Sequence, residues 1–261
     1  MRAYNEPKSD HGPDTVSIGT PPSGAQPSAG RPPNLSADVV DAIIGVRGGL
    51  GVIDELDPST TALVVIDMQN FFVAPGAALE VAAARDIVPN INRLAAAMRD
   101  AGGVVAWIRM TFQPDELSDH WTAFLPVNGG SEGPATFRAI EPGQSGHELW
   151  PLLDVDGSDL VVDKRRFSAF IQGSSNLQEM LDERDIDTLV IVGTLTNVCC
   201  ESTARDAMML NYRVIMVDDG TATLTEAAHR AALDNIAMFF GEVQTTDHVA
   251  TMLATDRVAT G

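Results

Sequence analysis

Val190-Ile-Val-Gly193-Thr-Leu-Thr-Asn-Val-Cys199-Cys-Glu-Ser-Thr-Ala-Arg-Asp206-Ala207 is the stretch that decides the fold. The chain is unbroken apolar from Leu189 to Val192, the pattern of a strand buried on both faces of a parallel sheet. Gly193-Thr194 breaks the run. Beyond the break, Cys199, Thr203, Ala204 and Ala207 share one face at helical spacing. The stretch is therefore a strand, a tight turn and a helix, with a cysteine where the helix begins. The first N–H groups of a helix lack backbone partners, and the helix dipole places partial positive charge there. Both favour a thiolate, so the sequence predicts a Cys199 pKa below the free value of about 8.5.

The rest of the chain repeats the strand-then-helix pattern. Leu63-Val-Val-Ile66 is a second fully apolar run, ending at Asp67. Ala82, Ile87, Val88, Ile91, Leu94, Ala95 and Met98 predict one long helix, stopped by Gly102-Gly103. Strands follow at Val104 to Ile108 and at Leu160 to Val162, the latter ending at Asp163-Lys164. Ser175 with Gln178 forms a capping box for a helix through Leu177 and Leu181. After the cysteine helix, Val214 to Val217 is a strand ending at Asp218-Asp219-Gly220. Thr223 with Glu226 predicts a capped helix running to Phe240, Glu242 to Thr245 an edge strand, and Asp247 the cap of a terminal helix. Strands alternating with helices require right-handed crossovers. The expected fold class is α/β, a three-layer doubly wound sheet of about six parallel strands with helices on both faces.

Residues 1–35 are rich in Pro, Gly, Ser and Asp and poor in large apolar side chains, so a disordered tail is expected. Residues 36–57 read as an arm, a short helix and an extended piece packing on the domain or on a neighbouring subunit. The domain proper is expected over 58–261. Residues 111–158 are punctuated by Pro and Gly and show poor periodicity. They read either as a cover over the active site or as a surface excursion. Trp121, Phe124 and Trp150 are candidate pocket or interface residues within them.

A formal net charge of −19 argues against nucleic acid and anionic membranes as partners. No apolar run approaches the roughly 18–20 residues of a membrane span, and residues 1–35 lack the apolar segment of a signal peptide. The two cysteines are adjacent and form no structural framework, so a reducing cytoplasm is the expected compartment. The five histidines are scattered without ligand spacing, so neither a metal nor another cofactor is expected. Lys8 and Lys164 are the two lysines among 17 basic residues. A chain that otherwise uses arginine has kept an ammonium at 164, and the two cations are not interchangeable.

Ligands of such a sheet sit beyond the carboxyl ends of its strands, where strand order reverses. Asp67, Lys164 and Cys199 each follow a strand and should therefore share one rim. Singly, an Asp at a strand end is usually a turn residue, a lone Lys is usually solvated, and a buried Cys is usually inert packing. Together they suit acyl transfer. A thiolate attacks a carbonyl carbon, a carboxylate shuttles the proton, and an ammonium relieves the repulsion between the two. Backbone N–H groups at a strand-to-helix turn can hold the oxyanion. The competing non-enzyme reading is a flavodoxin-like nucleotide-binding or redox-sensing module. The Asp67-Met-Gln-Asn70 loop has no glycine to cradle phosphate, which counts against it.

Three motifs carry a resemblance: Ala62-Leu-Val-Val-Ile-Asp67-Met-Gln-Asn70, Asp163-Lys164-Arg-Arg-Phe167-Ser-Ala-Phe170, and the run from Gly193 through Cys199 to Ala207. In their order and spacing, residues 58–253 resemble the isochorismatase-like cysteine hydrolases, the N-carbamoylsarcosine amidase and nicotinamidase superfamily. The resemblance implies an Asp67–Lys164–Cys199 triad and a cis peptide between Thr194 and Leu195. It also implies an oxyanion hole from the N–H groups of Leu195 and Cys199. Cys200 is then structural, and Asn70, Phe71 and Phe167 are expected to contact substrate. The Asp-x-His metal motif of nicotinamidases is missing from Met110-Thr-Phe-Gln-Pro-Asp-Glu. Phe167-Ser-Ala-Phe170, the Cys-Glu-Ser-Thr-Ala-Arg-Asp run and Phe239-Phe-Gly-Glu-Val243 look most like the ureidoacrylate and biuret amidohydrolase branch. The implied activity is cleavage of a carbamoyl or ureido C–N bond through a cysteine thioester, with release of ammonia or an amine. The alternative within the fold is an amidase on a simple aliphatic or aromatic amide. The implied partners are a small-molecule amide or ureido substrate and further copies of the chain in a homo-oligomer.

Overall fold

The computed structural model describes residues 32–53, 55–113, 121–128 and 133–255. Of the tail expected over residues 1–35, residues 1–31 lie outside the described residues. Six strands form one sheet: β1 (Thr61–Ile66), β2 (Val104–Met110), β3 (Leu160–Lys164), β4 (Thr188–Thr194), β5 (Arg213–Ala222) and β6 (Glu242–Gln244). Their order is β3-β2-β1-β4-β5-β6, and every pairing is parallel. Strand order therefore reverses between β1 and β4. These two strands are buried along their whole length, which is why they read as continuous apolar runs.

The described helices are α1 (Ala37–Arg47), α2 (Asn70–Val73), α3 (Val88–Ala101), α4 (Phe124–Asn128), α5 (Gly133–Phe137), α6 (Leu177–Asp182), α7 (Glu201–Met209), α8 (Glu226–Asn235) and α9 (Thr246–Thr255). Alternate strand residues point to opposite faces. Leu63, Val65, Trp107 and Val190 pack with Ile91, Leu94 and Met98 of α3 and Val249 of α9. Ala62, Val64, Ile108 and Ile191 pack with Leu181 of α6, Ala204 of α7, Leu233 of α8 and Ile43 of α1. The result is the three-layer sheet expected from the sequence. Among the described residues no helix is long and apolar enough to cross a membrane.

Several elements depart from the sequence reading. The helix expected from Ala82 is split into a short 3-10 turn at Ala82–Arg85 and α3. Pro89 sits in the first turn of α3, where its missing N–H costs nothing. That position suits a helix start and forbids one continuous helix. The helix caps are also displaced. Ser175 Oγ accepts from Leu177 N at 3.1 Å, while Asn176 occupies the N-cap position of α6. Thr225, not Thr223, caps α8 by accepting from Ala228 N. Thr245, not Asp247, accepts from His248 N at the start of α9. At α8 and α9 a neighbouring threonine hydroxyl accepts from the free N–H groups instead.

The arm packs on its own domain. Ser36 N and Oγ donate to Asp234 Oδ1 and Oδ2 of α8 at 2.9 and 2.5 Å. Glu242 of β6 accepts from the backbone N–H groups of Val52 and Ile53. Asn34 and Leu35, placed by the sequence reading in the disordered tail, are packed as well: Leu35 is buried and Asn34 donates to Asp218.

Candidate active site

Gly193 creates the switch point. Its φ is +112° and it pairs with Ile66, and a Cβ there would lie 2.1 Å from the Ile66 carbonyl oxygen. Only glycine allows β1 and β4 to run this close while the chain turns. The register of β4 against β5 shifts at the same place, between Ile191 and Gly193. The chain then passes through the cis peptide Thr194–Leu195 that the resemblance implied. It enters a π-helical turn at Thr196–Cys200, closed by Cys200 N donating to Leu195 O at 3.2 Å, before α7 begins. Cys199 thus sits on a widened turn ahead of the α-helix rather than on its first α-helical turn. Such π turns are frequent at functional sites.

Three side chains converge from β1, β3 and this turn. Lys164 Nζ lies 2.8 Å from Asp67 Oδ2, an ion pair sealed from solvent. The same nitrogen donates to Cys199 Sγ at 3.4 Å and to Arg166 O at 3.1 Å. Asp67 and Lys164 have no solvent exposure, and Cys199 has 3%. Asp67 adopts φ +53° at the strand end, a left-handed conformation that Asp tolerates, and its N–H still donates to Ile108 O. The ammonium stands beside both the acid and the sulfur, as the rim argument required.

The electrostatics overturn one expectation. Burial pushes the Cys199 thiol well above its ordinary value, and the Asp67 carboxylate pushes it further, while Lys164 opposes both. The helix-start argument predicted a lowered pKa. It counted the dipole and omitted the loss of solvent, which disfavours the charged form. Burial also raises the Asp67 carboxyl, against the pull of Lys164 and the Cys199 thiol. Burial lowers Lys164, but the negative charge of Asp67 and the sulfur outweigh it, and its pKa rises. A thiol, a carboxylate and an ammonium side by side would together bury no net charge.

Cys199 opens onto a cavity of about 210 Å³. Phe72, Phe112, Phe124, Phe137 and Phe167 supply its aromatic wall, and Met110, Ile140, Leu195 and Val198 are also in the lining. Leu195 and Cys199, the residues whose N–H groups were expected to hold an oxyanion, both border it. Of the three residues expected to contact substrate, Phe167 lines the cavity. Phe71 does not: one residue along the short helix α2, Phe72 takes that place, and Phe71 packs edge-on against it with ring centroids 5.0 Å apart. Asn70 is not in the lining either, and its Nδ2 donates to Ser145 O at 2.8 Å. Phe124 lines the cavity, Trp121 packs against Phe124 and edge-on against Phe167, and Trp150 packs on the core. Within 111–158, Phe112, Phe124 and Phe137 thus supply part of the cavity's aromatic wall. Phe72, Phe112, Phe137 and Ile140 went unmarked in the sequence, where single apolar residues in irregular segments carry no periodicity.

A second group supports the turn. Thr196 Oγ1 lies 2.9 Å from His229 Nδ1, and His229 Nε2 lies 3.2 Å from Asp218 Oδ1. Asn34 holds the same carboxylate through its N–H and Nδ2 at 3.1 and 2.7 Å. Burial would raise Asp218, but His229 and Asn34 hold its carboxyl below the ordinary value. These contacts join residues far apart in the chain, so no local pattern marks them. Cys199 and Cys200 are both free thiols, and Cys200 is sealed in the core. Among the described residues no group of three or more His, Cys, Asp or Glu is placed to hold a metal ion.

A doubly wound sheet with a cysteine, a carboxylate and an ammonium at its switch point defines a class, the α/β cysteine hydrolases. The chain belongs to the isochorismatase family: the isochorismatase domain matches residues 61–248. It is 34% identical over 201 residues to the ureidoacrylate amidohydrolase RutB of Methylobacterium radiotolerans, covering 72% of this chain and 77% of that one. Among solved structures, it resembles a cysteine hydrolase from Pseudomonas syringae pv. phaseolicola. That match has a TM-score of 0.70 and 32% identity, and covers 77% of this chain and 95% of the other. It also resembles the N-carbamoylsarcosine amidase of Thermoplasma acidophilum, with a TM-score of 0.59 and 26% identity over 72% of this chain and 97% of the other.

Proposed function

We propose that this chain is an amidohydrolase that cleaves a carbamoyl or ureido C–N bond through a thioester on Cys199. The supporting observation is that the one thiol bordering the cavity stands 3.4 Å from an ammonium that is itself ion-paired with a buried carboxylate. The names of the ureidoacrylate amidohydrolase and N-carbamoylsarcosine amidase relatives point to the bond.

In this reading Asp67 accepts the Cys199 proton as sulfur attacks the carbonyl carbon. The N–H groups of Leu195 and Cys199 hold the oxyanion, a role typically worth about 2.7–4 kcal/mol of barrier per donor. As the tetrahedral centre collapses, the C–N bond breaks and Asp67 returns the proton to the leaving nitrogen. Water then gives a proton to Asp67 and attacks the thioester. Collapse expels the sulfur, which recovers its proton. A carbamate product loses CO2. Because the thiol is pushed up, transfer to Asp67 must accompany attack, and the raised carboxyl is a stronger base for it. Lys164 keeps a counter-charge beside whichever of the two is negative. Each step is a proton or acyl transfer, so the scheme calls on no cofactor.

Cys199→Ala is expected to abolish ammonia release from a panel of biuret, ureidoacrylate, N-carbamoyl amino acids and plain amides. Mass spectrometry of the intact chain should show an acyl adduct on Cys199. Retained turnover in the variant overturns the assignment. The second reading, an amidase on plain aryl or alkyl amides, is favoured by the apolar cavity lining, and the same panel separates the two. We further propose one catalytic domain over residues 58–261 carrying the 36–57 arm, assembly as a homo-oligomer, and a cytoplasmic setting in keeping with two free cysteines.

A further inference from the structure

We infer that the substrate body beyond the scissile group is uncharged and apolar, a single aromatic ring or a branched alkyl group. By this inference the cavity rejects carboxylate-bearing ureides such as the one for which the Methylobacterium relative is named. The inference rests on the reading of this cavity as the substrate site.

Three observations carry it. First, among the described lining residues the polar side chains are Asn128 and Cys199, and none is cationic. Asn128 already donates from Nδ2 to Phe124 O at 3.2 Å. Lys164 lies behind the sulfur, fully buried and committed to Asp67, Cys199 and Arg166 O. A substrate carboxylate would lose its hydration with no cation in the described lining to receive it, which is strongly unfavourable. Second, a chain of formal charge −19 sets up a field that repels anions before they arrive. Third, the size fits. A dry cavity of roughly 150 Å³ takes benzene, and this one encloses about 210 Å³. It holds one ring or a branched alkyl chain with little room for ordered water. Phenylalanines on several sides offer faces and edges to a ring. The cavity edge is apolar too: Leu79 and Leu224 line it while remaining 40% and 67% exposed.

The test uses isosteric pairs in which CH(CH3)2 replaces COO⁻: 3-methylbutylurea against 3-ureidopropionate, and 4-methylpentanamide against succinamate. Two readouts apply to the full chain, kcat/KM from ammonia release and binding to the Cys199→Ala variant by calorimetry. Phenylurea is the ring probe for both. The neutral member is expected to be favoured by about tenfold or more in each readout, with phenylurea bound at least as well. Leu224→Arg, at an exposed position, should narrow the gap by roughly threefold or more. Equal or better handling of the carboxylates overturns the inference, as does failure of every probe to bind the Cys199→Ala chain. Turnover that favours carboxylates overturns the inference and leaves the amidohydrolase reading standing. Binding that favours the neutral members without turnover of any compound does the reverse.

Discussion

The chemistry of single residues here is governed by loss of solvent. Asp67, Lys164 and Cys199 would each be ordinary at a surface; burial raises the acid and the thiol, and on Lys164 the charges of those two outweigh it. This has a consequence for pH. The scheme needs Asp67 as a carboxylate, and burial raises its pKa above 3.8. Protonation therefore begins at a higher pH than for a free Asp, and activity present above that point is lost as pH falls through it. The acid limb of kcat/KM should lie above 3.8. The thiol is pushed up from 9.0, so no thiolate titration should appear near that value. Iodoacetamide labelling of Cys199, followed by peptide mass spectrometry, should show no sigmoidal rise in rate centred at pH 9. A rise there would mean that solvent reaches the sulfur and that the thiol is not pushed up.

Elements are held in register by a few polar ties between otherwise apolar layers. Asp159, just before β3, receives Arg99 Nε and Nη2 from α3 at 3.0 and 2.7 Å. It also accepts from Trp107 Nε1 of β2 at 2.7 Å and from Asp156 N at 2.9 Å. One carboxylate thus joins a helix, a central strand and the entry to the strand that delivers Lys164. Desolvation would raise its pKa, but the bonds from Arg99 and Trp107 prevail and hold it below 3.8. A depressed carboxyl contributes stability that is present above 3.8 and lost as pH falls through its folded value. Asp159→Ala should cost about 1.5–3 kcal/mol at pH 7, the worth of hydrogen bonds to a charged group. The difference from the parent chain should shrink below pH 3.8. Urea unfolding of both chains at pH 7 and pH 3 checks the sign, and a gap that widens in acid refutes it.

At the scale of the whole molecule, the surface carries apolar side chains that the fold leaves uncovered. Met209 at the end of α7 is 64% exposed, and Met208 and Leu210 beside it, and Phe239 after α8, are exposed as well. On a chain of charge −19, such surface suits contact with a further copy, where burying it from water offsets the electrostatic repulsion. Light scattering at micromolar concentration should give a mass that is a multiple of 27.7 kDa. Salt should strengthen the assembly by screening like charges. A single-chain mass at all ionic strengths would remove the oligomer from the proposal.

The sequence by itself determined the sheet, the order of its strands' polar termini and the three residues, Asp67, Lys164 and Cys199, that meet at its rim, because each is written locally. A buried parallel strand is an apolar run, and a residue at its end must reach the rim. Gly193 and Cys199 lie within seven residues of one another, so their relation survives without tertiary information. Tertiary structure decided the rest. Phe72 rather than Phe71 faces the cavity because the phase of the short helix α2 is set by its packing. Thr225 rather than Thr223 caps α8, and Thr223 instead donates to Asn197 Oδ1 at 2.6 Å. The raised thiol, the His229–Asp218–Asn34 support and the phenylalanine wall all depend on groups distant in the chain. Solvent exclusion and long-range contact have no local signature, and here they raise the Cys199 thiol and shape the cavity before it.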